Sequence, residues 1–119
     1  MKPTTQIALD WATRSFWREH VYNFSVRALR LAEEAVELAQ AYDIPKDKMI
    51  DLVNIVYARP KGNPEQEIGG VMMTVTVLAA AHGHDPEAFF DIELRRVLAK
   101  PSEHFAKRNQ DKLDLGLTA

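Results

Sequence analysis

Apolar residues along the chain recur with a helical period. Phe24, Ala28, Leu31, Ala35, Leu38 and Tyr42 follow one another at steps of three and four, which lays them on a single helical stripe. That spacing predicts a long helix from about Asn23, preceded by a shorter one through Trp11 and Trp17. Between Lys46 and Tyr57, Met49, Ile50, Leu52, Val53, Val56 and Tyr57 oppose Asp51 and Asn54. This is the pattern of a short amphipathic helix. From Glu65 to His82 the run Val71-Met-Met-Thr-Val-Thr-Val77 is rich in β-branched residues, which strands favour. Its length, and the lack of a second strand-like segment to pair with, argue for helix. A last helical segment opens at Asp85-Pro86, a plausible N-cap and first-turn pair. It carries Phe89, Phe90, Leu94, Val97 and Leu98, and Pro101 is placed to bend or restart it.

The strongest breaks are Asp43-Ile-Pro45, Arg59-Pro-Lys-Gly-Asn-Pro64 and His82-Gly-His-Asp-Pro86. Short Pro/Gly loops joining amphipathic helices predict an all-α chain, a four- to five-helix bundle forming one domain over residues 1–119. The tail after about Asp111 has little apolar surface to pack and is expected to fray.

Composition narrows the function classes. With 119 residues, 46% hydrophobic and 27% charged, the chain can bury one core and lies far from the profile of disordered sequences. A net charge of −2 provides no positive field to draw it onto a nucleic-acid polymer or an anionic membrane. The absence of cysteine removes disulfides, thiolate nucleophiles and Cys-based zinc sites together, and suits a reducing compartment. The start, MKPTTQIALDW, lacks a signal-peptide core. Ile68 to Ala81, the longest nearly apolar stretch, falls short of the roughly 20 residues that span a bilayer. A cytoplasmic location is therefore expected.

The predicted long helix carries Arg27-Ala-Leu-Arg-Leu-Ala-Glu33-Glu34-Ala-Val-Glu37. At about 100° per residue the three glutamates share one sector. Such a patch repels itself unless a positive group sits within it, and hard cations such as Mg²⁺ take oxygen ligands of this kind. The same spacing also fits a solvated face paired with Arg30. Yet Val26, Leu29 and Val36 widen the apolar arc, so the helix is expected to be buried, where its charges need partners. His82, His84, Asp85 and His104 lack the third ligand at helical spacing that a zinc reading requires.

The run Glu33-Glu34-Ala-Val-Glu37, followed later by Glu67-Ile-Gly-Gly70, resembles the EExxE and ExxD motifs of the all-α nucleoside triphosphate pyrophosphohydrolases of the MazG-like superfamily. Val56-Tyr-Ala-Arg-Pro-Lys-Gly62 and Glu67-Ile-Gly-Gly-Val-Met-Met-Thr74 look most like its phage-type branch, over roughly Val26 to Lys107. The resemblance implies Mg²⁺-dependent hydrolysis of a nucleoside triphosphate to the monophosphate and pyrophosphate, with Mn²⁺ able to substitute. It implies Glu34, Glu37 and Glu67 as metal ligands and Glu33 as the water-orienting base or a supporting acid. The aspartate expected at the end of ExxD is Gly70 here. A water, Glu33, or a carboxylate of the last segment such as Asp91 or Glu93 would then fill the position, or fewer ions bind.

Cations are expected to complete a phosphate site, and Arg59, Lys61, Lys100 and Lys107 are the candidates. Trp11, Phe16, Trp17 and Tyr22 offer faces for a base, with Trp17 the substrate-binding choice. The apolar helix surface exceeds what a chain of this size readily covers, and superfamily members pair helices across subunits. A homo-oligomer, dimer or tetramer, is expected. The competing reading is a non-catalytic helical oligomerisation or interaction module that keeps the glutamates as a degenerate metal site.

Overall fold

The computed structural model describes residues 1–117, and these are all-helical. Seven helices follow in order: α1 (Pro3–Phe16), α2 (Arg18–Val21), α3 (Phe24–Ala41), α4 (Lys46–Tyr57), α5 (Pro64–Ala81), α6 (Pro86–Leu98) and α7 (Ser102–Asp114). Two local breaks raise the number above the four or five expected. Trp17 adopts φ 63°, a left-handed geometry that no helix interior tolerates, so the first segment divides into α1 and α2. Pro101, extended at ψ 146°, stops the last segment and restarts it as α7, as its missing N–H and its ring require.

The other boundaries follow from capping chemistry. Asn23 accepts from Val26 N at 3.2 Å at the start of α3. Asn63 accepts from Glu65 N at 2.9 Å and Gln66 N at 3.3 Å at the start of α5, where Pro64 holds the first position. Three helices end in the same paired turn. After α5, Gly83 N reaches Ala80 O at 2.9 Å and His84 N reaches Ala79 O at 3.1 Å. After α7, Gly116 N reaches Leu113 O at 2.9 Å and Leu117 N reaches Lys112 O at 3.0 Å. Both glycines take the positive φ this closure needs. Asp43 fills that role after α3 at φ 61°, its N bonded to Gln40 O and Ile44 N to Ala39 O. Over the described residues α7 runs to Asp114 and closes in the paired turn; residues 118 and 119 of the tail lie outside the described residues.

The chain forms two compact units, residues 1–45 with 98–117, and residues 46–97. In the first, α1 packs on α7 and α2, and α2 on α3. Its core is aromatic: the Trp11 ring meets Phe105 edge-on at 5.0 Å and Phe16 at 5.2 Å, with Val21, Val26 and Phe105 buried. Two polar residues share that interior, Ser15 and Asn109. The second unit, α4 to α6, buries Ala79 and Val97.

Burial overturns one expectation. The apolar arc of α3 is not covered within the chain, and Val26 is its one buried residue; Leu31 is 47% exposed and Phe24 78%. On α5, Ile68, Met72, Met73 and Val77 are each more than half exposed. Periodicity identifies an apolar face but not what covers it. No helix among the described residues is long and apolar enough to cross a membrane.

Candidate functional site

The residues singled out in the sequence divide between the two units. Glu33, Glu34, Glu37, Trp17, Lys100 and Lys107 belong to the first, and Arg59, Lys61 and Glu67 to the second.

On α3, Glu33 and Glu34 are adjacent and Glu37 follows one turn on. Glu33 points toward α7: Lys112 Nζ stands 2.9 Å from Glu33 Oε1, with side-chain exposures of 23% for the lysine and 30% for the glutamate. Glu37 lies near enough to influence the Glu33 carboxyl. Glu34 and Glu37 are exposed. Burial raises the Glu33 pKa, but the Lys112 hydrogen bond and charge, Arg30, and Glu37 together outweigh it and hold the carboxyl below its ordinary value.

Arg30 is not spent on the helix's own glutamates alone. It donates to Leu117 O at 3.0 Å and to Asn109 Oδ1 at 3.5 Å. The Asn109 amide nitrogen, which can only donate, sits 3.0 Å from His20 Nδ1. A polar chain thus runs from α2 through α7 to α3, and it fixes the register of α7 that brings Lys112 onto Glu33. Lys112 was not among the predicted cations. Its signal is the spacing Phe105, Asn109, Lys112, the inner face of α7; Lys107, on the outer face, is exposed, as are Lys100 and Trp17. Trp17 stands edge-on to His20 at 5.1 Å, while Trp11 and Phe16 belong to the core and Tyr22 lies beneath Arg18, 4.8 Å from its ring centre.

In the second unit Glu67 lies in the first turns of α5, its N bonded to Asn63 O at 3.0 Å. Its carboxylate folds back against Gly62, where a Cβ would stand 2.5 Å from Glu67 Oε1. Arg59 and Lys61 occupy the same loop and are exposed. At Gly70 a Cβ would meet nothing within 4 Å, so the position has room for the missing aspartate. His82 and His84 both stand edge-on to Phe89, at 6.5 and 5.3 Å.

The donor chemistry of α3 fits a hard divalent cation. Mg²⁺ commonly takes one or two protein carboxylates and fills its remaining positions with water and phosphate oxygens; of the α3 glutamates, Glu34 and Glu37 are exposed, while Glu33 is paired with Lys112. A larger cage is not gathered: among the described residues no three His, Cys, Asp or Glu side chains form a group able to hold a metal. No family model, curated protein or solved structure matches the chain.

Proposed function

We propose that the chain hydrolyses a nucleoside triphosphate between the α- and β-phosphates, releasing the monophosphate and pyrophosphate with Mg²⁺, or Mn²⁺ in its place. The observation that carries this reading is the Glu33-Glu34-Ala-Val-Glu37 run, which falls within the one continuous helix α3 and so sets its carboxylates on one side of it. Clustered carboxylates call for positive charge, and Lys112 supplies it at Glu33 alone. Glu34 and Glu37 of α3 would serve as metal ligands; Glu67, in the other unit, has its ligand role only as the motif resemblance implies it. The metal, when bound, neutralises phosphate oxygens and orders the triphosphate. Glu33 orients the attacking water. Arg59, Lys61, Lys100 and Lys107 supply phosphate contacts, and Trp17 a face for the base.

The working form is a homo-oligomer, a dimer or tetramer. Its support is the uncovered apolar surface of α3 and α5, which is far more than isolated exposed side chains. The substrate is a small molecule, with neither a nucleic-acid polymer nor a membrane as partner, and the location is cytoplasmic.

A second reading has one observation in its favour: Gly70 ends the Glu67-Ile-Gly-Gly70 motif without a carboxylate. Under it, the chain is a helical oligomerisation module with a vestigial cation site. Incubation with each common nucleoside triphosphate and Mg²⁺ or Mn²⁺, reading pyrophosphate and orthophosphate separately, decides between them. Pyrophosphate as first product supports the enzyme; orthophosphate first, or no turnover with any nucleotide, leaves the module.

A further inference from the structure

Residues 46–97 lack a core of their own. Ala79 and Val97 are the only buried residues of this unit, although α4 and α5 carry apolar side chains round most of their circumference. From Leu52 to Ala58, and again from Ile68 to Ala81, no charged residue interrupts them. Met73 and Val77 stand one turn apart on α5 and are 66% and 62% exposed; Ile55 on α4 is 53% exposed. Helices of this kind belong inside a bundle. The first unit does not share the defect, because Trp11, Phe16 and Phe105 close its interior.

The chain as a whole carries the same surplus. Its accessible surface is 9342 Å², against about 6,500 Å² for a folded monomer of 13.5 kDa. The excess, about 2,800 Å² per chain, is more than three times the ~800 Å² that each partner gives to an ordinary complex, and it reaches the scale of obligate homodimers. Charge then selects the occupant. A partner of another kind is ordinarily steered and chosen by opposite charge, and this surface offers none. Two copies meeting face to face bring identical residues together, which an uncharged apolar surface accepts and a charged one resists.

We infer that α4 and α5 of two copies form one shared core, so that residues 46–97 fold fully only as a pair, while the aromatic core of the first unit closes within each chain. The inference rests on the homo-oligomer proposed above and names the surface that makes it.

Light scattering and hydrogen exchange on the full chain test this without any turnover measurement. Met73→Lys and Val77→Lys cost an isolated chain little, because both side chains are already more than half exposed in it. In a shared core each buries an unpaired charge, which weakens association at least about a hundredfold. The expected result is a wild type of at least twice 13.5 kDa and Lys variants at the mass of one chain, with residues 46–97 exchanging freely and α1 and α7 protected as before. A Lys variant that keeps the wild-type mass overturns the inference and leaves the homo-oligomer standing, and so does one-chain mass with unchanged protection of 46–97. A wild type of one-chain mass overturns the homo-oligomer and the inference together. Should both variants aggregate, wild type co-refolded from ¹³C-labelled and unlabelled chains decides. Nuclear Overhauser contacts between copies at the Met72 and Met73 methyls support the shared core; their absence, or contacts of those methyls confined to their own chain, α3 included, overturns it.

Discussion

The Glu67 carboxylate is packed against the backbone of Gly62, so closely that a methyl group on that glycine would lie 2.5 Å from Glu67 Oε1. The contact makes a glycine at 62 a condition of where Glu67 rests. Gly62→Ala is expected to leave α4 and α5 intact, since a single exposed side chain can swing away, but to displace the carboxylate. If Glu67 is a metal ligand, the variant loses metal-dependent pyrophosphate release with little change in apo melting temperature. Full retention of wild-type turnover would show that Glu67 does not act from this position.

Gly70→Asp should restore the ligand missing from the second motif. A Cβ there is unobstructed, and a mid-helix glycine costs roughly 0.5–1 kcal/mol relative to Ala, of which Asp recovers part. The apo protein should be as stable as the wild type or slightly more so, and Mg²⁺ should raise its melting temperature further than it does the wild type's. An identical metal response in the two proteins would mean that residue 70 does not face the ion.

Leu31→Ala reports on the oligomer. In an isolated chain a leucine that is 47% exposed leaves only a small cavity, and the loss should stay below about 1 kcal/mol. Covered by a second copy, it should cost about 2–5 kcal/mol, and the melting temperature should rise with protein concentration. The second outcome is expected, with light scattering giving at least twice the 13.5 kDa of one chain.

Two buried groups in the first unit are predicted to be replaceable without loss. Ser15 is fully buried and its Oγ has no hydrogen-bond partner, and Arg27 Nε and Nη2 are likewise buried and unpaired. Burial, then the neighbouring Arg30, lowers the Arg27 pKa. Its stacking on Phe16 at 5.1 Å returns ~0.5–2 kcal/mol, against ~1–3 kcal/mol for each unsatisfied group. Ser15→Ala and Arg27→Met should therefore be neutral or stabilise by about 1 kcal/mol in chemical denaturation. A loss above about 2 kcal/mol in either would show that these groups are satisfied in the working assembly.

Acid should weaken the fold partly through Glu33. Its folded pKa lies below the unfolded value near 4.5, so its contribution is fully present above that value and is lost as pH falls through the lower, folded pKa. The Lys112→Met variant, lacking the main favourable partner, should show a shallower decline in stability from pH 5 downward. Parallel curves for the two proteins would place the acid sensitivity elsewhere.

Some elements are legible in the residues and others are not, for identifiable reasons. Lys46 to Tyr57 reads correctly at both ends because Pro45 and Arg59-Pro60 bound a clean amphipathic period. The β-branched run of α5 resolves to helix, held by the Asn63–Pro64 start. Trp17 and Pro101 show the reverse: a positive φ on a tryptophan has no signature in local sequence, and a proline marks a break without saying whether the helix bends or restarts. At the candidate site, the α3 glutamates follow from helical spacing alone. Lys112 does not, because its role depends on the packing of Phe105 against Trp11 and Phe16, a contact between the two ends of the chain that periodicity cannot register.

That same contact between distant ends imposes an order on synthesis. Trp11 and Phe16 cannot meet Phe105, nor His20 meet Asn109, until residues 105–109 have left the ribosome, so the aromatic core of the first unit closes after residues 46–97 have been made. Residues 46–97 are complete well before then. During translation α1 to α3 must wait with their apolar faces uncovered, and the long sequence separation of these contacts makes their closure the slow step of folding. A nascent chain halted before residue 105 should remain sensitive to protease throughout residues 1–45, and only release of the last helix should silence those cuts.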